Sequence, residues 1–282
     1  MQNYIKNNNF LTKILSHRVG RKIVHKVTNK RFVLKKVNTF NLLLDLKDGS
    51  GVSKYILKHG NYDPFASNFV KQFIKSHSTV IDIGANIGYW SNLLASFDST
   101  IKVLAFEPEP FNFKLLQENT KLNANCNRVQ LISKALSNSK GNFNLYLSDN
   151  NAGDHRLYDS LENRNFVSVE TVVGDDEINV NNISFIKIDV QGFEYKVLSG
   201  MKNLISKNND LSILSEFWPY GMKMAGDDPV EFLKMMFSFN FKFYALLEDS
   251  QEIFKINIEK ALELTPDKKH IDILFSKREI KL

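Results

Sequence analysis

A glycine turn and a more distant carboxylate form the most informative chemical pattern in this chain of 282 residues. Residues 80–90 read Val-Ile-Asp-Ile-Gly-Ala-Asn-Ile-Gly-Tyr-Trp. Gly84 permits a sharp turn after an apolar strand, Gly88 lets the next helix pack closely, and backbone N–H groups at the helix start would face a ligand. Glu107 follows a second apolar strand, and its carboxylate can accept hydrogen bonds from both hydroxyls of a ribose. This order predicts a site for an adenosine-bearing cofactor.

The residue between the two glycines distinguishes between possible cofactors. A dinucleotide site favours Gly-x-Gly-x-x-Gly, in which the middle glycine lets a pyrophosphate approach the backbone. This chain has Asn86 at that position. S-adenosylmethionine has no phosphate, and its cationic sulfonium suits the carboxylates of Asp82 and Asp189, which lie at predicted strand ends. The pattern therefore favours S-adenosylmethionine over NAD.

Alternating strands and helices surround these residues and predict an α/β fold with a parallel sheet and helices on both faces. About seven strands fall in one doubly wound sheet. The predicted strands are residues 79–83, 102–106, 129–133, 184–189, 211–217, 241–247 and 271–275, and the predicted helices are residues 65–75, 89–97, 111–122, 194–206 and 229–239. Two further strands, residues 143–147 and 166–172, bracket a polar loop that is long enough to be functional.

The N-terminal part of the chain is strongly basic. Residues 1–44 contain ten Lys or Arg residues and no Asp or Glu, whereas the net charge of the whole chain is only +6. This segment suits peripheral contact with an anionic membrane, and the alternative is a solvated lead-in to the fold. Nucleic acid is not an expected partner, because aromatic residues are not interleaved with these charges.

The segments after residue 39 predict how this part joins the rest. Residues 40–46 and 52–57 are predicted to pair as a β-hairpin across the Asp-Gly pair of residues 47–51. We therefore expect two parts: residues 1–60, a basic N-terminal extension with a β-hairpin, and residues 61–282, the cofactor-binding domain.

Composition restricts the class of protein further. No apolar run approaches the roughly 18 residues that a membrane-spanning helix needs, and no signal-peptide pattern follows Met1, so we expect a cytoplasmic protein, in one alternative held at the inner membrane face. The single Cys126 excludes an internal disulfide. No metal site is expected, because the acidic residues 175–177 have no histidine cluster of ligand spacing beside them.

Four motifs in order give the chain a family resemblance. They are residues 81–89, residues 105–110 (Ala-Phe-Glu-Pro-Glu-Pro), residues 133–137 (Ser-Lys-Ala-Leu-Ser) and residues 186–194 (Ile-Lys-Ile-Asp-Val-Gln-Gly-Phe-Glu). With them the chain resembles the FkbM family of S-adenosylmethionine-dependent methyltransferases over roughly residues 62–214. The resemblance implies the seven-stranded, Rossmann-like class I methyltransferase fold. It also implies methylation of a hydroxyl oxygen, often on sugars, glycolipids or polyketides.

The resemblance also implies residue roles. It places Gly84, Asn86 and Gly88 at the methionine end of the cofactor, Glu107 at the ribose and Asp189 at the mouth where methyl transfer occurs. The full set of expected cofactor contacts is Asp82, Gly84, Ala85, Asn86, Gly88, Glu107, Pro108, Lys134, Ala135 and Asp189, of which Lys134 and Ala135 lie beside the adenine. The chain departs from the family at Gln191, where the family usually has Glu, and so lacks a charge near the cofactor.

The acceptor side requires a base, because a sugar hydroxyl is a poor nucleophile at neutral pH. Candidate bases at the carboxyl edge of the predicted sheet are Asp154, His155, Asp189 and Glu216. His155 titrates near neutral pH, although an ordinary surface histidine is an equal alternative. Expected acceptor contacts are Arg156, Glu194, Trp218 and Tyr220, and the two aromatic residues either stack on a sugar ring or pack in the core.

The favoured function is that of an S-adenosylmethionine-dependent O-methyltransferase, which methylates a hydroxyl of a saccharide, glycolipid or related metabolite. The expected partner is thus a small-molecule or glycan acceptor. Two alternatives stay open. One is an NAD-dependent oxidoreductase or epimerase, disfavoured by Asn86 and by the absence of a suitably placed Tyr-x-x-x-Lys pair. The other is a non-catalytic binding module that keeps the cofactor fold, an idea motivated by Gln191.

Overall fold

The computed structural model describes residues 31–281. It begins with a β-hairpin of strands β1 (Phe32–Val37) and β2 (Phe40–Asp45). Asn38 in the two-residue turn has a φ of 52°, the left-handed conformation that such a turn favours. The strand predicted at residues 40–46 is therefore confirmed, but its partner lies before it in the chain.

The second strand predicted for the hairpin is wrong, because residues 52–57 belong to helix α1 (Val52–His59). The buried residues of this helix, Ser53 and Ile56, are three positions apart, which is a helical spacing. Asp48, in the predicted hairpin turn, caps the helix with a carboxylate that accepts the backbone N–H of Ser53 at 2.9 Å. The acidic turn residue therefore marks a helix start and not a hairpin.

The remaining strands form a large central sheet and a small second one. In chain order they are β3 (Thr79–Ile83), β4 (Lys102–Phe106), β5 (Val129–Ile132), β6 (Ala135–Ser137), β7 (Gly141–Tyr146), β8 (Phe166–Val173), β9 (Ile183–Ile188), β10 (Ser212–Phe217), β11 (Lys242–Leu247), β12 (Glu252–Ile256) and β13 (Ile271–Ser276). Within the described residues, the large sheet has the order β12-β11-β13-β10-β9-β3-β4-β5, and the small sheet has the order β6-β8-β7.

The seven strands predicted for the large sheet are confirmed to within one residue at each end. The sequence pattern did not predict β12, which adds an eighth strand at the edge. The sheet is also mixed and not wholly parallel as predicted, because β13 lies antiparallel between β10 and β11. The strands predicted at residues 143–147 and 166–172 exist as β7 and β8, in the small sheet.

The topology places a crevice beside β3. This strand pairs in parallel with β4 on one side and with β9 on the other, so the chain extends the sheet in opposite directions from this point. The loops after β3 and β9 therefore diverge at the carboxyl edge, which is where ligands of such sheets bind. Every residue of β3 and β9 is buried, as expected of central strands that are covered on both faces.

Helices cover the sheet. After α1 they are α2 (Pro64–Phe69), α3 (Tyr89–Phe97), α4 (Pro110–Lys121), α5 (Gly174–Glu177), α6 (Glu194–Ser199), α7 (Lys202–Lys207), α8 (Pro219–Met224), α9 (Pro229–Ser238) and α10 (Ile258–Leu264). The helix predicted at residues 194–206 is divided into α6 and α7 at Gly200. A Cβ atom there would lie 2.1 Å from the carbonyl oxygen of Ser137, so the close approach to β6 requires glycine.

Asparagine side chains join the N-terminal hairpin to the central domain, among them Asn119 and Asn123, which accepts the backbone N–H of Asn41 at 2.8 Å. Asn119, on α4, accepts a hydrogen bond from the backbone N–H of Leu43 at 2.6 Å. Its amide nitrogen donates to the carbonyl of Ile87, in the glycine turn, at 2.7 Å. Asn119 therefore links the hairpin, a helix and the turn after β3.

The basic segment is described only in part. Residues 1–30, with seven of its ten cationic side chains, lie outside the described residues, and the predicted membrane contact of that stretch stays a prediction. The other three are Arg31, Lys35 and Lys36. Arg31 pairs with Asp45 at 2.9 Å, and Lys35 donates to the carbonyl of Ile56 at 2.7 Å. Across residues 31–281, no helix has the length and apolar composition that a bilayer crossing needs.

Candidate functional site

A cavity of about 350 Å³ opens at the carboxyl edge of the large sheet, in the crevice between β3 and β9. The loops after β3, β4 and β9 contribute to its lining. Further wall residues come from α1 and the segment just before it, from residues 62–63, from the loop between β7 and β8, and from Glu216 and His270. The cavity is thus at the position expected for the ligand site of a doubly wound sheet.

The glycine turn after β3 is tightly enclosed. Gly84 has a φ of 80°, and a Cβ atom on it would lie 2.0 Å from the carbonyl oxygen of Asp189, so only glycine fits between these two loops. The backbone N–H groups of residues 84–88 all donate to acceptors within the protein, namely the carbonyls of Phe106 and Ala85, the Glu107 carboxylate and the Asn86 side chain. These five N–H groups hold the turn in place, so none of them is free to cradle a pyrophosphate. The prediction that N–H groups at the helix start face a ligand concerns α3, which begins at Tyr89, and stays a prediction.

Glu107 ends β4 and is a buried carboxyl in the cavity lining. One oxygen accepts the backbone N–H of Asn86 at 2.8 Å, and the other accepts that of Glu109 at 2.9 Å. Burial raises the pKa of Glu107 to about 8, against these two hydrogen bonds, which lower it. Each oxygen keeps a further lone pair, so the geometry suits two ribose hydroxyls.

Asn86, predicted at the methionine end of the cofactor, lines the cavity, and both polar atoms of its side chain are bound within the protein. Its side-chain nitrogen donates to the carbonyl of Ala152 at 2.7 Å, and its oxygen accepts the backbone N–H of Ile87 at 2.8 Å. Asn112, on α4, donates to the same Ala152 carbonyl at 2.8 Å. Two amides therefore hold the loop between β7 and β8 against the cavity. The oxygen of the Asn112 side chain is buried and has no partner among the described residues.

The other predicted cofactor residues also line the cavity, apart from Gly88. Asp82 is buried and accepts a hydrogen bond from the Ser91 hydroxyl at 2.5 Å, and burial raises the pKa of Asp82 to about 6. Lys134 forms ion pairs with Glu170 at 3.2 Å and Glu177 at 3.1 Å, so its charge is already compensated. Ala85, Pro108 and Ala135 complete this part of the lining.

The lining fits S-adenosylmethionine in its chemistry. The carboxyl groups of Asp82, Glu107 and Asp189 provide hydrogen-bond acceptors and negative charge for ribose hydroxyls and a sulfonium. Apolar walls suited to an adenine ring come from Ile83, Phe106, Leu136 and Leu145. The buried unpartnered oxygen of Asn112 is a further acceptor for a ligand donor.

A second group of polar residues, the lysine end, consists of Lys187, Asp189, Gln191, Glu216 and His270, and all five line the cavity. The Gln191 side-chain nitrogen donates to Asp189 at 2.7 Å and to Glu216 at 3.2 Å. Gln191 therefore bridges two carboxyl groups, a role that an ionised Glu at this position lacks because it has no donor.

Lys187 is the penultimate residue of β9, with only 3% of its surface exposed. Its ammonium nitrogen is 3.8 Å from the nearer Asp189 oxygen and 3.4 Å from the carbonyl of Ile188. Burial acts to lower the pKa of Lys187, but the charges of the surrounding carboxyl groups have the larger combined effect. The net result is a raised pKa, so the side chain remains cationic. Burial, with the charge of Asp189 next, raises the pKa of Glu216 well above its ordinary value.

Asp154 and Arg156, in the loop between β7 and β8, are bound to each other and not to the cavity. Asp154 forms ion pairs of 2.7 Å with both Arg156 and Arg164. Arg156 is buried with its guanidinium 5.0 Å from the ring centre of Trp218. Within the described residues, neither Asp154 nor Arg156 lines the cavity, so the proposed base and acceptor contact act here as loop supports.

His155, between them, does line the cavity. Its Nδ1 accepts the backbone N–H of Ser148 at 3.1 Å, so Nε2 bears the proton in the neutral form. Burial lowers the pKa of His155 against the effect of nearby carboxylates. His155 is therefore neutral at physiological pH and offers an N–H donor.

The remaining predicted acceptor contacts are directed elsewhere. Trp218 is buried and donates from its indole nitrogen to the carbonyl of Lys268 at 2.9 Å, and Tyr220 packs on it with a ring separation of 5.8 Å. Glu194 is fully buried and accepts the backbone N–H groups of Val190 and Gly192, each at 3.2 Å. Glu194, Trp218 and Tyr220 are not among the described residues that line the cavity. The aromatic residues thus follow the core-packing alternative.

Among the cavity residues that escaped the sequence reasoning as site residues are Tyr62, Asp63, Lys187 and His270. Lys187 had a signal, since a lysine between Ile186 and Ile188 interrupts an otherwise apolar central strand. The others lie far from the recognised motifs, and only the tertiary fold brings them to the cavity.

A family model described as the methyltransferase FkbM domain matches residues 82–243, more than half of the chain. Among curated proteins, methyltransferase sdnD of Sordaria araneosa is 27% identical over 162 residues, which cover 57% of this chain and 57% of sdnD. Hexuronic acid methyltransferase AglP of Haloferax volcanii is 25% identical over 210 residues, which cover 73% of this chain and 75% of AglP. The chain therefore spans little more than half of the length of sdnD.

Among solved structures, M. jannaschii TYW2 in complex with AdoMet is similar at a TM-score of 0.44 and 17% identity. The superposed part covers 89% of this chain and 88% of that protein.

Proposed function

Because the chain belongs to the FkbM methyltransferase family, we propose that it is an O-methyltransferase that methylates a hydroxyl of a saccharide, glycolipid or related metabolite. The fold is that of a class I methyltransferase, and the cofactor is S-adenosylmethionine. The observation that supports the proposal most is that Glu107, after β4, and the lysine end, on and after β9, line one cavity from opposite sides of β3.

When bound, the cofactor supplies an electrophilic methyl group on a sulfonium sulfur. Glu107 is suited to hold the ribose, since both of its oxygens retain acceptor capacity. The lysine end is suited to hold a hydroxylated acceptor, because it offers the carboxyl groups of Asp189 and Glu216 together with the cationic donor of Lys187. The protein's main contribution to such a displacement is to hold the acceptor oxygen at attack distance and in line.

The cofactor part of the proposal is tested by calorimetry with S-adenosylhomocysteine. Replacing Glu107 with Ala removes two charge-assisted hydrogen bonds, each worth about 1.5–3 kcal/mol, so we expect affinity to fall about a hundredfold or more. The control is Glu231→Ala, on α9, whose carboxylate pairs only with the exposed Lys234. Binding of NAD without binding of S-adenosylhomocysteine would contradict the proposal.

The acceptor part of the proposal is supported by a relative. The relative AglP is named a hexuronic acid methyltransferase, which makes a sugar acceptor the first class to examine. We propose incubation with isotope-labelled S-adenosylmethionine and neutral, amino and acidic methyl hexosides, followed by fractionated glycan and lipid extracts. Label in a sugar or glycolipid fraction is the expected result, and label only in protein, nucleic acid or none of the fractions contradicts it.

The same assay distinguishes the oxygen that is methylated. A hexuronic acid offers hydroxyl groups and a carboxylate, and these give an ether and an ester. Mild alkali releases methanol from an ester but not from an ether. We expect an alkali-stable product, because an acidic acceptor would approach a cavity end with two carboxyl groups, Asp189 and Glu216, and one compensating lysine.

A further inference from the structure

Asp63 is a cavity residue that lies outside residues 82–243, which match the family model. It immediately precedes α2 and faces the same space as the lysine end. Electrostatic interaction couples it to Lys187 and Asp189 across the cavity. This segment therefore completes the site from a part of the chain that the family motifs do not include.

The backbone and hydrogen bonds around Asp63 differ from those of an ordinary helix cap. An Asp at this position normally accepts a backbone N–H from the first turn of its helix. Here Glu248 accepts the N–H groups of Phe65 at 2.8 Å and Ala66 at 3.0 Å in its place. The Asp63 side chain makes no capping hydrogen bond. Because Glu248 caps the helix, the carboxyl group of Asp63 is free of the capping role and remains available to a ligand.

The conformation of Asp63 is also strained. Its φ of 41° and ψ of 55° are left-handed, which is uncommon for a residue other than glycine, and Pro64 follows it. Asp228 provides the contrast within the same chain. It also precedes a proline at the start of a helix, but it has an extended backbone and accepts the N–H of Val230 at 2.8 Å.

Asp63 differs from the other carboxyl groups in the cavity lining. Asp82 accepts a hydrogen bond from Ser91, Glu107 accepts two backbone N–H groups, and Asp189 and Glu216 both accept from Gln191. Asp63 is the one cavity carboxyl group that accepts no hydrogen bond from any described residue. It is therefore the carboxylate most available to a hydroxyl of a bound acceptor.

We propose that Asp63 is the general base that takes the proton of the acceptor hydroxyl during methyl transfer. This inference rests on the proposed O-methyltransferase function. The acceptor oxygen forms a bond to the methyl carbon as the carbon–sulfur bond breaks. The electron pair of that broken bond stays on sulfur, which becomes a neutral thioether. The hydroxyl proton moves to the Asp63 carboxylate and is later released to solvent.

The charged surroundings of Asp63 suit a base that works near neutral pH. Burial, followed by the charge of Asp272 and of other neighbouring carboxyl groups, raises the pKa of Asp63 to about 8 against the effect of Lys187, which lowers it. The titratable groups that act on or face Asp63 are Tyr55, Tyr62, Tyr89, Lys187, Asp189, Glu248 and Asp272. Because Asp63 must be ionised to accept a proton, activity rises with pH through this range.

The test compares Asp63→Asn with the matched variant Asp228→Asn. Asn keeps the shape of the side chain and tolerates the left-handed backbone. With labelled cofactor and the methyl hexoside that the wild type methylates, we expect kcat of Asp63→Asn to fall by about 10²–10⁴-fold. S-adenosylhomocysteine affinity should stay within about twofold of wild type, and Asp228→Asn should keep wild-type kcat.

The pH profile separates a base from a structural residue. At saturating cofactor and acceptor, wild-type kcat should rise about tenfold per pH unit below pH 8 and then level off, and Asp63→Asn should lack this rise. Asp63→Gly, which also fits a positive φ, is the second variant if the Asn protein does not fold.

Three results overturn the inference. They are a wild-type kcat that is flat from pH 6 to 9, an Asp63 variant that keeps more than half of the wild-type kcat, and a wild-type product that is an alkali-labile ester. The first and second leave the O-methyltransferase proposal standing. If the wild type transfers no label to any acceptor, the proposed function itself fails and the inference fails with it.

Discussion

At the scale of single residues, burial determines which carboxyl groups can take part in chemistry. Burial raises the pKa of Asp82 to about 6 and that of Glu107 to about 8, in each case against hydrogen bonds that lower it, from Ser91 to Asp82 and from two backbone N–H groups to Glu107. Gln191 supplies the amide donor that two nearby carboxyl groups share. The departure from the family pattern at this position is thus compatible with an ordered site.

Cofactor binding should be linked to protonation of Glu107. The pKa of Glu107 is about 8 in the free protein, whereas ribose hydroxyls are best held by the ionised carboxylate. Binding below pH 8 therefore releases a proton, and affinity rises with pH by up to about tenfold per unit before it levels off above pH 8. Calorimetry of S-adenosylhomocysteine binding at pH 6.5, in buffers of different ionisation enthalpy, measures the released proton. Equal affinity at pH 6.5 and pH 8.5 would show that this linkage is absent.

At the scale of elements, amide side chains connect segments that are distant in the chain. Asn86 and Asn112 hold the carbonyl of Ala152, and Asn119 holds both the hairpin and the glycine turn. These contacts explain why the turn after β3 keeps its shape although its own N–H groups point inward. The β7–β8 loop is placed by the same means, so its predicted functional role depends on side chains from the glycine turn and from α4.

Loss of Asn119 should therefore destabilise the protein. Asn119→Ala leaves the buried backbone groups of Leu43 and Ile87 without partners, and each such group costs about 1–3 kcal/mol. We expect the free energy of unfolding in urea to fall by about 2 kcal/mol or more. The control is Asn144→Ala, at an exposed position of β7. Equal stability of the two variants would show that the hydrogen bonds of Asn119 do not stabilise the hairpin.

At the scale of the whole molecule, the cavity is assembled from three regions of the chain. The family-matched residues 82–243 supply the cofactor side and most of the lysine end. Tyr62 and Asp63 come from before this region, and His270 from after it. The division into residues 1–60 and 61–282 stays a prediction, and Asn119 shows how closely the hairpin of the first part packs on the second.

The basic N-terminal segment leads to a prediction at this scale. We expect the full chain to float with vesicles that contain anionic phosphatidylserine but not with neutral phosphatidylcholine vesicles. Deleting residues 1–30 removes seven cationic side chains, each worth about 1 kcal/mol near an anionic surface, and should abolish the flotation. Retained S-adenosylhomocysteine binding serves as the folding control. Equal flotation of both chains, or none, would favour a solvated lead-in.

Hydrophobic periodicity and turn residues in the sequence were enough to locate the central strands. Buried parallel strands need a continuous apolar run and amphipathic helices need apolar residues at helical spacing, so both are visible in the sequence itself. The same logic identified Gly84 and Glu107, whose roles depend on the local turn and strand end. It failed at residues 52–57, since Asp48 and Gly49 serve equally in a hairpin turn and before a helix. It misplaced Arg156 as an acceptor contact, and it left open whether Trp218 stacks on a sugar or packs in the core, where it lies against Arg156.

The sequence by itself thus determined the fold class, the cofactor and the family, since these depend on short motifs whose residues act through local geometry. Only the tertiary structure decided which carboxyl groups meet at the cavity and which are bound in ion pairs or hydrogen bonds elsewhere. Asp154 is neutralised by two arginines, whereas Asp63 is released from capping its helix by Glu248, 185 positions further along the chain. Such exchanges of hydrogen-bond partners depend on long-range packing, which no local pattern in the sequence specifies.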